Sequence, residues 1–179
     1  MNINYDNVIY VKQMSKNKGI LYYKDVKCEA FLGANGLTHN KVEGDKKTPI
    51  GEFDIGMAFG MHNKNELYLD ESIYYEKLTD SMYWISDSNS VYYNRFINTE
   101  NTIQNWNCAE HLIDYTIQYE YAIEIKTNPN RVPKCGSAIF LHCSNGKPTM
   151  GCISIDSQYM KKIISEINSR TKVLILEKF

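Results

Sequence analysis

Eight short runs of β-favouring residues recur along the chain: NVIYV, GILYY, EAFLG, GEFDIG, YWISD, YAIEI, AIFLHC and VLILEKF. β-Branched and aromatic side chains suit a pleated, half-buried surface, and the Asn, Asp, Gly and Lys clusters between the runs break the chain into turns. One segment departs from this rhythm. After Cys152, Asp156 or Ser157 can cap a helix in which Met160, Ile163, Ile164 and Ile167 share one face. The VLIL run that follows reads as a buried strand. These elements predict a mainly β fold with minor helix. No Pro/Gly/Ser linker, repeat or low-complexity tract divides the 179 residues, so residues 1–179 are expected to form a single domain. A chain this long buries roughly 70% of its unfolded surface, so it needs neither disulfide nor metal to fold.

A formal net charge of -1 leaves no excess of cations to neutralise phosphates, and a nucleic-acid partner is disfavoured. The cysteines at 28, 108, 135, 143 and 152 are odd in number and lack framework spacing, which argues for free thiols as in a reducing compartment. The opening MNINYDNVIYVKQ shows no signal peptide, and no stretch approaches the ~20 apolar residues that span a bilayer. The expected location is cytoplasmic, or the cell wall if export is unconventional or a leader was removed. The sequence carries no reading of oligomeric state.

The stretch Ile139–Asp156, IFLHCSNGKPTMGCISID, carries the chemistry. A cysteine attacks as thiolate, and an unperturbed thiol of pKa ~8.5 is only a few per cent ionised at pH 7. A neighbouring histidine can take the proton. AIFLHC reads as a strand ending at His142, SNGKPT as a turn, and MGCISI as a returning segment, so a hairpin-like return would bring Cys152 near His142. Gly151 lets substrate approach the backbone, and the N–H groups around Gly151–Cys152 can face a developing oxyanion.

The bland reading is a cysteine serving as a small buried hydrophobe. A zinc site from Cys135, His142, Cys143 and Cys152 is the sharper rival. Adjacent strand residues point to opposite faces, however, so His142 and Cys143 could hardly share an ion, and the spacings lack the short ligand pairs of structural zinc. Neither metal nor cofactor is expected. His39, His62 and His111 sit in polar contexts and read as surface residues, Lys161–Lys162 as a solvated helix edge, and Asp87 as part of a turn. The tyrosines and methionines read as packing residues. In GDKKTPIGEF, Gly44-Asp45 makes a turn, Pro49 holds Thr48 extended, and Gly51 lets the chain turn into the next strand.

HCSNGKPTMGCISI resembles the active-site signature of the L,D-transpeptidase (YkuD-like) catalytic domains, a histidine followed by a Ser/Thr-x-Gly-Cys-Ile/Val run. EGDKKTPIGEFDIGMAFG, at 43–60, is similar to that family's G-D-x-x-T-P-x-G-x-F segment. WISDSNSVYYNRF and EHLIDYTIQYEYAIEI resemble blocks of the branch that reads T-x-G-C. The likeness runs from about Phe31 to Ser154.

It implies a curved mixed β-sheet or β-sandwich with a few short helices, and cysteine-dependent attack on peptidoglycan stem peptides or muropeptides, at the bond between the third residue and D-Ala. By this likeness Cys152 is the nucleophile and His142 the base and later acid. The Cys143 carbonyl would orient the imidazole, the Gly151 and Cys152 amides would bind the oxyanion, and Thr149 and Ser154 would line the stem groove. Transfer to a second stem gives a 3→3 cross-link, whereas transfer to water gives L,D-carboxypeptidase activity. A non-catalytic wall-binding module and an effector or phage-type enzyme are the rival classes. Met150 stands where many members have a second histidine, Ser154 where Arg or Asn is common, and the loop from His142 to Cys152 is shorter than in S-H-G-C members.

Overall fold

The computed structural model of the chain describes residues 7–177. In chain order the strands are β1 (Val8–Ser15), β2 (Lys18–Tyr23), β3 (Val26–Phe31), β4 (Leu37–Thr38), β5 (Thr48–Pro49), β6 (Gly51–Gly60), β7 (Tyr75–Lys77), β8 (Met82–Ile85), β9 (Phe96–Asn98), β10 (Ala109–His111), β11 (Tyr121–Ile125), β12 (Phe140–Cys143), β13 (Ile153–Ile155) and β14 (Lys172–Leu176). The helix α1 (Ser157–Ile164) lies between the last two. Nine strands form one sheet in the order β11-β12-β13-β3-β2-β1-β14-β6-β7. The ten-residue β6 also pairs with β11, which curls the sheet back on itself. The sheet is mixed: β1–β14, β12–β13 and β6–β7 run parallel, and the other pairings are antiparallel. A smaller sheet, β10-β8-β9, and the β4–β5 pair complete the mainly β fold expected from the residue pattern.

Each predicted run lies in or overlaps a strand, apart from Lys178 and Phe179 of the last, which are outside the described residues. Ile9 and Val11, Leu21 and Tyr23, and Val26, Cys28 and Ala30 are buried at every second position, the period of a strand with one face in the core. The VLIL run reads as a buried strand. Instead Val173 and Ile175 are buried while Leu174 and Leu176 are half-exposed, because β14 has one covered face.

β12 and β13 differ in being buried on both faces. Leu141, Cys143, Ile153 and Ile155 join the main core with Met160, Ile163 and Ile164 of α1. Phe140 and Cys152 join a second cluster with Phe59, Trp84 and Tyr119. Asp156 caps α1 by accepting the Gln158 amide at 3.0 Å. The helix ends at Ile164, yet Ile167 stays buried in the turn beyond it, so all four expected apolar residues reach the core. Lys161 is exposed and Lys162 pairs with Asp25, as a helix edge should.

The return from β12 corrects the expected hairpin. β13 runs parallel to β12, with Leu141 opposite Ile153 and His142 opposite Ser154. The connection 144–152 is held elsewhere on its way back: the Thr149 amide donates to the Leu32 carbonyl and the Ala34 amide to the Thr149 carbonyl, both at 2.9 Å. The chain therefore reverses twice and enters β13 between β12 and β3.

Two of the three remaining histidines are more deeply packed than a surface reading implies. His62 stacks on Tyr121 with ring centroids 4.9 Å apart, and His111 stacks on Tyr83 at 4.5 Å. His39 is exposed. Asp87 accepts the Asn89 and Asn107 amides at 2.9 and 2.8 Å, which is the turn role read from its sequence. No helix among the described residues is long and apolar enough to cross a membrane.

Candidate active site

Parallel neighbours on a sheet present the same face, so the β12–β13 register puts Phe140, His142, Cys152 and Ser154 on one side and Leu141, Cys143, Ile153 and Ile155 on the other. Strand spacing of ~4.8 Å and a rise of ~3.3 Å per residue put the Cys152 and His142 backbones about 8 Å apart on the diagonal, close enough for their side chains to meet. Both line a cleft of about 420 Å3 that is open to solvent.

His142 is buried and its Nδ1 lies 2.8 Å from the Cys143 carbonyl oxygen. A carbonyl only accepts, so Nδ1 carries the proton and Nε2 keeps the lone pair. Burial pushes the imidazole pKa down to about 4, against a smaller upward pull from the Cys143 carbonyl. The Tyr119 ring meets the imidazole edge-on, with centroids 5.6 Å apart.

Cys152 is buried as well. Its Sγ donates to the Ala138 carbonyl at 3.2 Å and accepts the Phe140 amide at 3.3 Å. Burial pushes the thiol up to about 12, and Glu110 adds to this, while the Phe140 amide and the Lys41 ammonium pull it down. At neutral pH the site therefore holds a neutral thiol and a neutral imidazole.

The turn before the cysteine is tied down by two threonines. Thr149 Oγ1 donates to the Cys152 carbonyl at 2.6 Å and accepts the Gly151 amide at 3.1 Å. Thr48 Oγ1 donates to the same carbonyl at 3.2 Å and accepts the Gly33 amide at 2.8 Å. Gly151 has φ +143°, and a Cβ there would lie 3.1 Å from both Ile139 Cδ1 and the Lys47 carbonyl, so glycine is required. The Gly151 amide expected at an oxyanion is thus engaged by Thr149 in this structure. Asp45 accepts the Val42 and Lys47 amides at 3.0 and 2.8 Å and pairs with Lys41, building the turn read in GDKKTPIGEF.

Ser154 is 1% exposed, lines the cleft, and its hydroxyl has no hydrogen-bond partner. Cys143 turns to the opposite face, where its Sγ contacts the Tyr121 carbonyl at 3.7 Å, and Cys135 lies exposed. The geometry therefore separates the four residues of the zinc alternative. Among the described residues no group of three His, Cys, Asp or Glu is placed to hold a metal.

Three cleft residues were not singled out from sequence, and Thr48 reads there only as an extended residue before Pro49. Lys41, Glu110 and Tyr119 line the cleft, and Thr48 anchors its floor. Thr48 lies in the GDKKTPIGEF motif, and Glu110 and Tyr119 lie in the EHLIDYTIQYEYAIEI block. The motifs marked the segments, and the individual roles needed the folded chain.

A curved mixed sheet that presents a cysteine and a histidine from adjacent parallel strands in an open cleft defines a class of cysteine-bearing, cleft-forming β domains. Residues 2–175 match the family model of the L,D-transpeptidase catalytic domain (YkuD), and the chain belongs to this peptidoglycan-modifying family. Among solved structures, L,D-transpeptidase 1 of Mycobacterium tuberculosis is similar at 13% identity and a TM-score of 0.42, over 94% of this chain and 60% of that one. The helical cell shape determining protein Pgp2 of Campylobacter jejuni is similar at 14% identity and a TM-score of 0.46, over 96% of this chain and 46% of that one. This chain thus spans less than two thirds of the length of either. No curated protein matches it.

Proposed function

We propose that the chain is a cysteine-dependent L,D-transpeptidase acting on peptidoglycan stem peptides. The observation that carries this reading is the placement of Cys152 and His142 on one face of adjacent strands, with Nδ1 committed to the Cys143 carbonyl and Nε2 left as the base. Substrate entry turns the Cys152 side chain from the Ala138 carbonyl toward Nε2, which takes the thiol proton. The sulfur attacks the carbonyl carbon between the third stem residue and D-Ala. The Cys152 amide, joined by that of Gly151 once Thr149 releases it, stabilises the oxyanion. Collapse breaks the C–N bond, and the imidazolium returns its proton to the departing amine of D-Ala. A thioester on Cys152 remains, for transfer to a second stem or to water. Thr149 supports this chemistry by holding the turn, and Ser154 offers its unpartnered hydroxyl to the stem.

The test is mass spectrometry of the protein incubated with a disaccharide-tetrapeptide, beside Cys152→Ala. The expected result is loss of D-Ala, with dimers joined between two third residues, and neither product with the variant. Loss of D-Ala without dimers reassigns the chain as an L,D-carboxypeptidase. Product from Cys152→Ala removes that cysteine as the nucleophile, and an unaltered substrate with wild type returns the chain to the wall-binding class.

A further inference from the structure

The segment WISDSNSVYYNRF carries part of the family likeness, and the proposed chemistry makes no use of it. It supplies Trp84, on β8, and Asn94, just before β9. The Asn94 side-chain oxygen accepts the Trp84 Nε1 proton at 2.9 Å and the Ala138 amide at 3.2 Å, and its Nδ2 donates to the Asn128 carbonyl at 3.2 Å. The partners fix which end is which, because N–H groups need the oxygen and a carbonyl needs the nitrogen. Asn94 thereby ties down both ends of the loop 128–138. Asn128 braces that loop from within, its Nδ2 donating to the Val132 and Gly136 carbonyls at 2.9 and 3.0 Å.

The loop ends in an unfavourable conformation. Ala138 has φ +53°, in the left-handed region where Cβ crowds the following carbonyl oxygen. An alanine stays there only when its surroundings hold it. Asn94 holds the Ala138 amide, and the Ala138 carbonyl then meets the Cys152 thiol at 3.2 Å. The Phe140 amide meets the same sulfur at 3.3 Å. Asn94 has φ +53° as well, a conformation that asparagine tolerates.

We propose that Asn94 is a positioning residue for the nucleophile. By holding Ala138 in the left-handed region it keeps the Ala138 carbonyl aimed at the thiol, and so fixes the resting position of the Cys152 side chain. Substrate must draw the thiol off this carbonyl before Nε2 of His142 can take its proton. That consequence for the reaction rests on the stem-peptide reading, whereas the grip of Asn94 on the thiol does not.

Iodoacetamide labelling at a fixed pH, read by peptide mapping, tests the grip with no stem peptide present. Asn94→Gly allows the same backbone conformation at 94 and removes the side-chain amide. Cys152 is expected to label roughly three- to tenfold faster in that variant than in wild type, the worth of one neutral hydrogen bond. The exposed Cys108 and Cys135 serve as internal standards. Ala138→Gly is the compensating change, because glycine enters the left-handed region without the Cβ penalty. Added to Asn94→Gly, it should return Cys152 labelling most of the way to the wild-type rate. A cleft that had merely loosened would label faster still with a second glycine. If Asn94→Gly does not fold, the comparison moves to position 138. Ala138→Val, whose branched side chain resists a positive φ, should then label faster than Ala138→Gly. An unchanged rate in Asn94→Gly, a faster rate that Ala138→Gly does not reduce, or equal rates for the Val and Gly variants overturns the assignment. Each of these outcomes leaves the stem-peptide reading to be judged separately, by D-Ala release.

Discussion

At position 142 a buried imidazole meets the Tyr119 ring edge-on with one nitrogen spent on the Cys143 carbonyl, and at position 152 a thiol donates to the Ala138 carbonyl. In the proposed mechanism these two buried, neutral groups form an ion pair when substrate supplies compensating contacts. Cys152 should therefore resist iodoacetamide at pH 7, where the exposed Cys108 and Cys135 react first, and its labelling should climb as pH approaches about 12. Peptide mapping by mass spectrometry checks the order. Replacing His142→Gln should slow D-Ala release by about 10²–10⁴, the usual worth of a positioned acid–base group. The identities of both residues were legible in HCSNGKPTMGCISI. The direction in which their protonation is pushed was not, because it depends on burial that distant segments supply.

At the level of elements, the turns and the helix were largely readable because their causes are local. Gly44, Pro49 and Gly51 punctuate one segment, and Asp156 caps the other through a residue two positions on. Asp156→Ala should lower stability by about 1 kcal/mol in urea unfolding, through loss of the cap. Thr48 shows where local reading stops. Its sequence context places it in an extended dipeptide, whereas its hydroxyl reaches the carbonyl of Cys152, 104 positions away. Thr48→Val keeps the shape and removes both hydrogen bonds, leaving the Gly33 amide unmatched. It should cost about 1–3 kcal/mol and reduce D-Ala release, with urea unfolding and the release assay as the two measurements. The parallel sense of β13 escaped local reading for the same reason: the connection is steered by backbone bonds to Leu32 and Ala34.

For the whole molecule, the site's seclusion couples stability to pH. The native pKa of His142 lies near 4, below the usual 6.5 of an unfolded chain. Between those values the unfolded state binds the proton that the native state refuses. The stabilisation is therefore complete above about pH 6.5 and is lost as pH falls toward 4, roughly 3 kcal/mol in all. Cys152 acts at the other end: its native pKa near 12 exceeds the usual 9, so its contribution is present below pH 9 and lost as pH rises toward 12. Thermal melts across pH should show the acid arm flattened by His142→Gln and the alkaline arm flattened by Cys152→Ala. What the sequence determined by itself was the kind of element at each place, the turns and the cysteine–histidine pair on which the proposed chemistry rests, because residue periodicity, capping and side-chain chemistry act over a few positions. The tertiary structure alone decided how the sheet curls, which way β13 runs, and which groups surround the thiol. Those choices depend on hydrogen bonds and burial between segments far apart in the chain, and no local pattern encodes them.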